Sequence, residues 1–442
     1  MSFKTMYIPI GVPTFDLEVA GEDFRQSIQN LSNYLEVEAP EEPLLSLDSL
    51  VNFIKGQEPD LAIVQNLTFA GSHYMTQIQK YIKCPILLWT LKERFVDGGR
   101  LRLNSLTGAY SASNLLYMLE DDRLFYIYGE SSDPAVGERA MAIARAIQVK
   151  DDLKELNIAS VGFTPDGFGF GQATSMDLLK KFGSNYMTVE ARELMEKAES
   201  YQEGEYEDSL KGTHFDLEGY DFLKKEQIDR TLRLYKAYMD FVKKNNIGAL
   251  SSRCWPDFFT RYSAPVCGIL SVLNDELIGA ACEGDLYGAL SLFIANHLSD
   301  KPAFFGDPVH IDLEENLIYF WHCGMGACSL SNDKRNVGVH PNRKMGPTME
   351  FVSKAEKEIT VFRVGKQADG EARFLITTGE VVEKEKPFQG TSAVVRLDSD
   401  VLDYVEETVG DGWEPHFVVI YKDVVRELEA LAKLLGIDVY RY

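Results

Sequence analysis

Through its first half, this 442-residue chain alternates short apolar runs with longer amphipathic stretches. A short apolar run fits a buried strand, and an amphipathic stretch of a dozen residues fits the helix that crosses back over the sheet. The alternation therefore predicts βαβ units. Residues 6–12 (MYIPIGV) read as a first strand and 20–36 as its helix. Residues 61–64 (LAIV) and 85–89 (PILLW) are two more strands, and 134–149 is a helix. The pattern restarts at 158–163 (IASVGF), so a second α/β unit is expected from about residue 151.

Residues 196–208 (AESYQEGEYEDSL) show no periodicity and read as a connector, whereas 225–245 have helical spacing and stop at Asn-Asn-Ile-Gly. The last 90 residues change character. Residues 358–364, 372–377 and 392–397 look like antiparallel strands joined by Gly and Asp turns. A final helix at 422–435 puts Val424, Val425, Leu428, Leu431, Ala432 and Leu435 on one stripe and stops at Gly436. The expected architecture is α/β: two Rossmann-like α/β domains (1–150 and 151–300), then a β-rich, antiparallel barrel-like domain (301–442).

At 45% apolar and 26% charged residues, the composition is that of a packed globular protein. No apolar run approaches the roughly 20 residues that span a bilayer, and the start, Met-Ser-Phe-Lys, lacks the layout of a secretory signal. A cytoplasmic protein with no membrane partner is expected. The net charge of −23 repels polyanions, which argues against a nucleic-acid partner but leaves room for a small anionic substrate in a pocket of its own local field. Cys84, Cys254, Cys267, Cys282, Cys323 and Cys328 have no paired spacing and read as free thiols rather than a zinc site.

Polar groups gather in apolar surroundings at three places. In ACEGDLYGAL, Glu283 stands just before a helix whose apolar residues fall at Leu286, Leu290, Phe293, Ile294 and Leu298. Glu283 and Asp285 either face a cleft or only complement the helix dipole. In PAFFGD, Asp307 ends a buried run, where a carboxylate is costly unless it meets a cation or hydrogen-bond donors. The strand LIYFW leads into His322, and GDGWEPHFVVI places His416 at a strand start. Two carboxylates with one or two imidazoles suit Mn²⁺, Mg²⁺ or Co²⁺ with positions left open for a diol. Taken singly, each histidine reads equally as a core or surface residue.

CEGDLYGAL, followed twenty-four residues after its Glu by FFGDPVH, resembles the L-fucose isomerase family, and GWEPHF is similar to that family's segment carrying a metal-binding histidine. NLIYFWH also resembles the related L-arabinose isomerases, in which a histidine after a similar strand binds metal. The chain is shorter than the long fucose isomerases and looks like a compact branch. The resemblance implies a metal-dependent ketol isomerase that interconverts an aldose and its ketose through a cis-enediol(ate). It implies Glu283 and Asp307 as the proton-trading carboxylates, with Glu283, Asp307 and His416 as metal ligands. His322 is either a fourth ligand or a support behind the ligands. The cofactor implied is Mn²⁺, or Mg²⁺ or Co²⁺ in its place, and the assembly a homo-oligomer, trimer or hexamer.

The segment 331–346 carries Lys334, Arg335, Arg343 and Lys344 against one Asp, a basic island in an acidic chain. It reads as a solvated loop or as a rim for an anionic substrate end, a role Arg253 and Arg261 also fit. Trp255, beside Arg253, and Trp413, in the His416 segment, are the expected aromatic substrate contacts. The sugar is neutral or deoxy, or a sulfonated hexose, with sulfoquinovose going to sulfofructose. Two rival readings are a metal-dependent epimerase or lyase, which shares the enediolate, and a non-catalytic sugar-binding protein. The Gly-rich run 162–171 lacks GxGxxG spacing and does not read as a nucleotide cradle. Residues 105–108 (SLTG) are a weaker candidate for lining a sugar pocket.

Overall fold

A computed structural model describes residues 3–333 and 336–442, so Lys334 and Arg335 lie outside the described residues. The chain divides, within the helix Pro134–Glu155, into two compact units, Met1–Ile147 and Gln148–Tyr442.

The first unit is built on a parallel sheet of five strands: β1 (Thr5–Ile10), β2 (Val37–Glu38), β3 (Leu61–Asn66), β4 (Ile86–Thr90) and β5 (Leu124–Tyr128), in the order β2-β1-β3-β4-β5. Strands β1, β3 and β4 are buried at every position, which is why they stood out as unbroken apolar runs. Edge strand β5 is half exposed and carries Tyr126 and Tyr128 outward, so no apolar run announced it. Four helices belong wholly to this unit: α1 (Leu17–Ser32), α2 (Leu47–Ile54), α3 (Ser72–Tyr81) and α4 (Ser105–Met118). The 105–108 segment opens α4, where Ser105 bonds the Asn66 carbonyl and Gly108 packs on the Asn66 side chain.

The second unit holds a parallel sheet of four strands, β6 (Asn157–Val161), β7 (Asn185–Val189), β8 (Ile247–Ser252) and β9 (Gly279–Cys282), in the order β7-β6-β8-β9. It also holds a mixed sheet. In that sheet β10 (Phe304–Asp312) pairs antiparallel with β11 (Leu317–His322), and two short hairpin strands, β12 (Val337–Gly338) and β13 (Thr348–Met349), stand apart from it. The remaining strands are β14 (Phe351–Val352), β15 (Glu356–Lys366), β16 (Ala372–Val381), β17 (Thr391–Leu397), β18 (Phe417–Ile420) and β19 (Asp438–Arg441). Because β16 pairs with β17 as well, the strands β17-β11-β10-β18-β15-β16 close on themselves.

The helix Leu286–Ser299 lies between these sheets. It packs on β8 and β9 on one side and on β15 and β18 on the other, and all but one of its residues are buried. A helix apolar on every face belongs in a core, and this one carries the segment just before it, Glu283 to Asp285, into the centre of the unit. Gly279 makes the close approach possible. A β-carbon there would lie 2.5 Å from the Ala289 carbonyl oxygen and 2.7 Å from the Phe293 amide nitrogen, backbone atoms that cannot rotate aside. Gly279→Ala is expected to cost about 1–3 kcal/mol of stability. Chemical denaturation measures it, and an unchanged midpoint would contradict the close helix–strand contact.

Candidate active site

Three strands of the mixed sheet bring three chemical groups to one end. In the antiparallel register Gly306 of β10 faces Phe417 of β18, and Asp307 faces Trp321 of β11. His416, one residue before Phe417, and His322, one after Trp321, therefore flank Asp307. Glu283 arrives from the parallel sheet at the carboxyl end of β9. It sits in the left-handed region at φ 60°, followed by Gly284 at φ 72°. A left-handed non-glycine residue costs roughly 1–2 kcal/mol, and such strain is held where a side chain must be aimed. Here it aims Glu283 at His416: Oε2 lies 3.3 Å from Nε2, and Asp307 Oδ1 lies 3.4 Å from the same nitrogen.

Asp285 fixes the imidazole. Its carboxylate caps the central helix by accepting from the Gly288 amide at 2.8 Å, and it receives both guanidinium arms of Arg363 at 2.6 and 3.0 Å. It also meets His416 Nδ1 at 2.9 Å. An ionised carboxylate can only accept, so Nδ1 carries a proton, and Nε2, holding either a second proton or a cation, faces Glu283 and Asp307. His322 has the opposite arrangement. Its Nδ1 accepts the Cys323 amide at 2.9 Å, which puts the proton on Nε2, a buried atom with no hydrogen-bond partner among the described residues. His416 is thus built to ligate and His322 to donate.

The electrostatics match. Burial works against charge on His416, but hydrogen bonds to Asp285 and Glu283, reinforced by the charge of Asp307, outweigh it and raise its pKa to about 10. Asp307 is pushed up to about 6 by burial, eased by His416 and reinforced by the negative charges of Glu283 and Asp285. Burial also works on Asp285, yet Arg363 and His416 hold its carboxyl well below the usual range. Burial lowers His322 to about 4, so its ring is neutral. Arg363 compensates only one of the three carboxylates. The remainder demand positive charge at His416 Nε2, a demand that a proton or a metal cation meets.

Glu283, His322 and His416 also form a cluster whose ligand atoms all lie within 4.8 Å of one another. Donor separations of 3.3 and 3.4 Å are those around one ion with bonds of roughly 2.0–2.5 Å. Once its proton is displaced, the buried Nε2 of His416 has the lone pair such an ion needs. The residues present therefore fit a divalent cation. Phe305 and Phe170 wall the imidazole, with ring centroids 4.7 and 5.6 Å from it. Phe170 belongs to the Gly-rich run, and a β-carbon at Gly171 would lie 2.6 Å from Asp285 Cα, so glycine lets that loop close over the site. Trp255 extends the aromatic wall through Phe168, at 6.0 Å.

The other expected residues divide. Arg253 holds Asp257 at 3.2 Å, and Arg261, largely exposed, reaches the same carboxylate at 3.9 Å. Arg343 and Lys344 stand exposed on the turn between β12 and β13. Trp413 is not with the cluster. Its ring stacks on Arg373 at 3.9 Å and its Nε1 donates to the Tyr442 hydroxyl at 2.6 Å, a packing role set by the C-terminal strand. Sequence reasoning missed the pairing of Arg363 with Asp285. Its one signal was an arginine inside the apolar run ITVFRV.

No family model matches the chain. Among curated proteins, the sulfoquinovose isomerase of Clostridium sp. (strain MSTE9) is 50% identical over 443 residues, covering 100% of this chain and 99% of that protein. The sulfoquinovose isomerase of Priestia aryabhattai is 37% identical, covering 99% of this chain and 98% of its own. That of Alkalicoccus urumqiensis is 34% identical, covering 98% of each.

Asp285→Asn leaves the Arg363 guanidinium buried without its counter-charge and removes the acceptor that fixes His416. A loss of about 3–5 kcal/mol in urea unfolding is expected, together with ~10–100-fold weaker Mn²⁺ binding by calorimetry. Wild-type values for both would mean that the carboxylate neither compensates Arg363 nor orients His416.

Proposed function

This chain belongs to the sulfoquinovose isomerase family, and we propose that it is a divalent-metal-dependent aldose–ketose isomerase converting sulfoquinovose to sulfofructose through a cis-enediol(ate). The observation that carries the proposal is the convergence of Glu283 and Asp307 on Nε2 of His416, in a chain related end to end to isomerases. Kinship with the L-fucose and L-arabinose isomerases belongs to the same proposal.

Aldose–ketose interconversion moves one proton between C1 and C2 and another between their oxygens. Glu283 and Asp307 come from different sheets, after β9 and within β10, so they face the reacting diol from two directions. One carboxylate accepts a proton as the other returns one, the exchange that general acid–base catalysis requires. Mn²⁺, or Mg²⁺ or Co²⁺ in its place, held by Glu283, Asp307 and His416, would supply the positive charge that stabilises the developing enediolate. His322 offers its Nε2–H to a substrate oxygen, and Phe170 and Phe305 keep water from the imidazole.

A homo-oligomer, trimer or hexamer, is part of this reading. What supports it is the first unit's exposed apolar surface. Leu106, Tyr110 and Tyr117 lie along one face of α4, and Met118, Tyr126 and Tyr128 are exposed as well, more apolar side chains than a monomer's surface ordinarily gathers. No helix among the described residues is long and apolar enough to cross a membrane.

Sulfoquinovose incubated with the protein and followed by NMR tests the reading. Ketose is expected, with activity lost on chelation, restored by Mn²⁺, and reduced about 10²–10⁴-fold by Glu283→Gln. Turnover that survives complete removal of metal, or a C2 epimer as product, would overturn it.

A further inference from the structure

The turn between β12 and β13 is built around a histidine. His340 is buried, and its Nδ1 accepts the amides of Asn342 and Arg343, both at 3.3 Å. The turn closes on itself through His340 N to Met345 O at 2.7 Å and Lys344 N to His340 O at 2.9 Å. Lys344 is left-handed at φ 53°. With Nδ1 an acceptor, the proton of the neutral ring is on Nε2, which is then a donor.

Two neighbouring segments meet this turn. On one side Phe259 packs edge-on against His340 at 4.9 Å and lies under the Arg343 guanidinium at 5.7 Å. Phe259 follows Arg253 and Trp255 in the same segment. On the other side Lys344 Nζ reaches Gln389 Oε1 at 3.2 Å, and the Gln389 carbonyl accepts from Trp321 Nε1 at 2.7 Å, beside His322. Through Gln389 and Trp321 the turn is linked to the strand end that carries His322. Among the described residues Arg343 and Lys344 have no carboxylate partner, whereas Arg253 and Arg261 are tied to Asp257. In a chain of charge −23, two neighbouring cations without a carboxylate partner among the described residues form a local positive field.

We propose that the turn His340–Lys344 is the anion-recognition rim of the site: Arg343 and Lys344 supply positive charge and His340 an Nε2–H donor to the substrate's terminal sulfonate. This rests on the isomerase reading above. The sulfonate of a 6-sulfo hexose is at the far end of the carbon chain from C1 and C2, so the rim binds and orients without entering the proton transfers. A terminal phosphate would meet the same donors.

Steady-state kinetics on sulfoquinovose test the rim. Arg343 and Lys344 are exposed, so their replacement by alanine spares the fold. Each substitution is expected to raise KM ~10–100-fold, the worth of a hydrogen bond to a charged group, with the loss falling on KM more than on kcat. His340→Gln, which keeps a donor, loses less than His340→Ala. Lys211→Ala, at an exposed lysine paired with Asp208, controls for net charge and leaves KM unchanged. Unchanged KM in both Arg343→Ala and Lys344→Ala, with wild-type turnover intact, overturns the rim and leaves the isomerase reading standing. No wild-type turnover of sulfoquinovose overturns that reading and the rim with it. Preference for D-glucose 6-phosphate over sulfoquinovose overturns the sulfonate assignment.

Discussion

The buried carboxylate of Asp285 holds three parts of the second unit together. It caps the central helix, neutralises Arg363 on β15, and fixes the ring of His416 ahead of β18. Each partner comes from a different layer, so one side chain ties the helix to the mixed sheet and both to the candidate active site. A fully buried Arg–carboxylate pair is a poor source of stability compared with apolar packing, yet breaking it is expensive. Its value here is geometric. It fixes a proton on Nδ1 of His416, so that Nε2, holding either a second proton or a cation, faces Glu283 and Asp307.

The rest of the site follows from backbone placement. Antiparallel register alone sets His416, Asp307 and His322 at one end of three adjacent strands. Glu283 reaches them because β9 ends at the core and the chain then turns through two left-handed residues. Glycines at 279, 284 and 171 permit the approaches, since a side chain at any of them would strike neighbouring backbone. The two histidines, alike in sequence, part in role through one hydrogen bond each. A carboxylate behind His416 leaves a ligand, and an amide behind His322 leaves a donor.

Much of this was legible in the sequence where burial leaves a simple pattern. Strands β1, β3 and β4, covered on both faces, stood out as apolar runs, and β15, β16 and β17 were found to within a few residues. Strand β5 went unread because an edge strand with outward tyrosines has no apolar signature, and β7, mostly half exposed or exposed, escaped for the same reason. At the site, Glu283, Asp307 and His416 stand out as charged or polar groups at the ends of buried runs, but only the resemblance to the L-fucose isomerases joined them into one set. The Asp285–Arg363 pair was not found, because its members are 78 residues apart and each had a bland local explanation. Trp413 shared a segment with His416, but adjacency along the chain says nothing of direction, and its ring turns to Arg373 and the C-terminal tyrosines.

The central claim is that His416, and not His322, gives its Nε2 to a cation shared with Glu283 and Asp307. Electron spin-echo spectroscopy of the Mn²⁺-loaded protein, with histidine labelled by ¹⁵N, counts the directly bound imidazoles. The account predicts one, lost when His416 is replaced by alanine and kept when His322 is replaced by glutamine. Two coordinated imidazoles, or none, would contradict it.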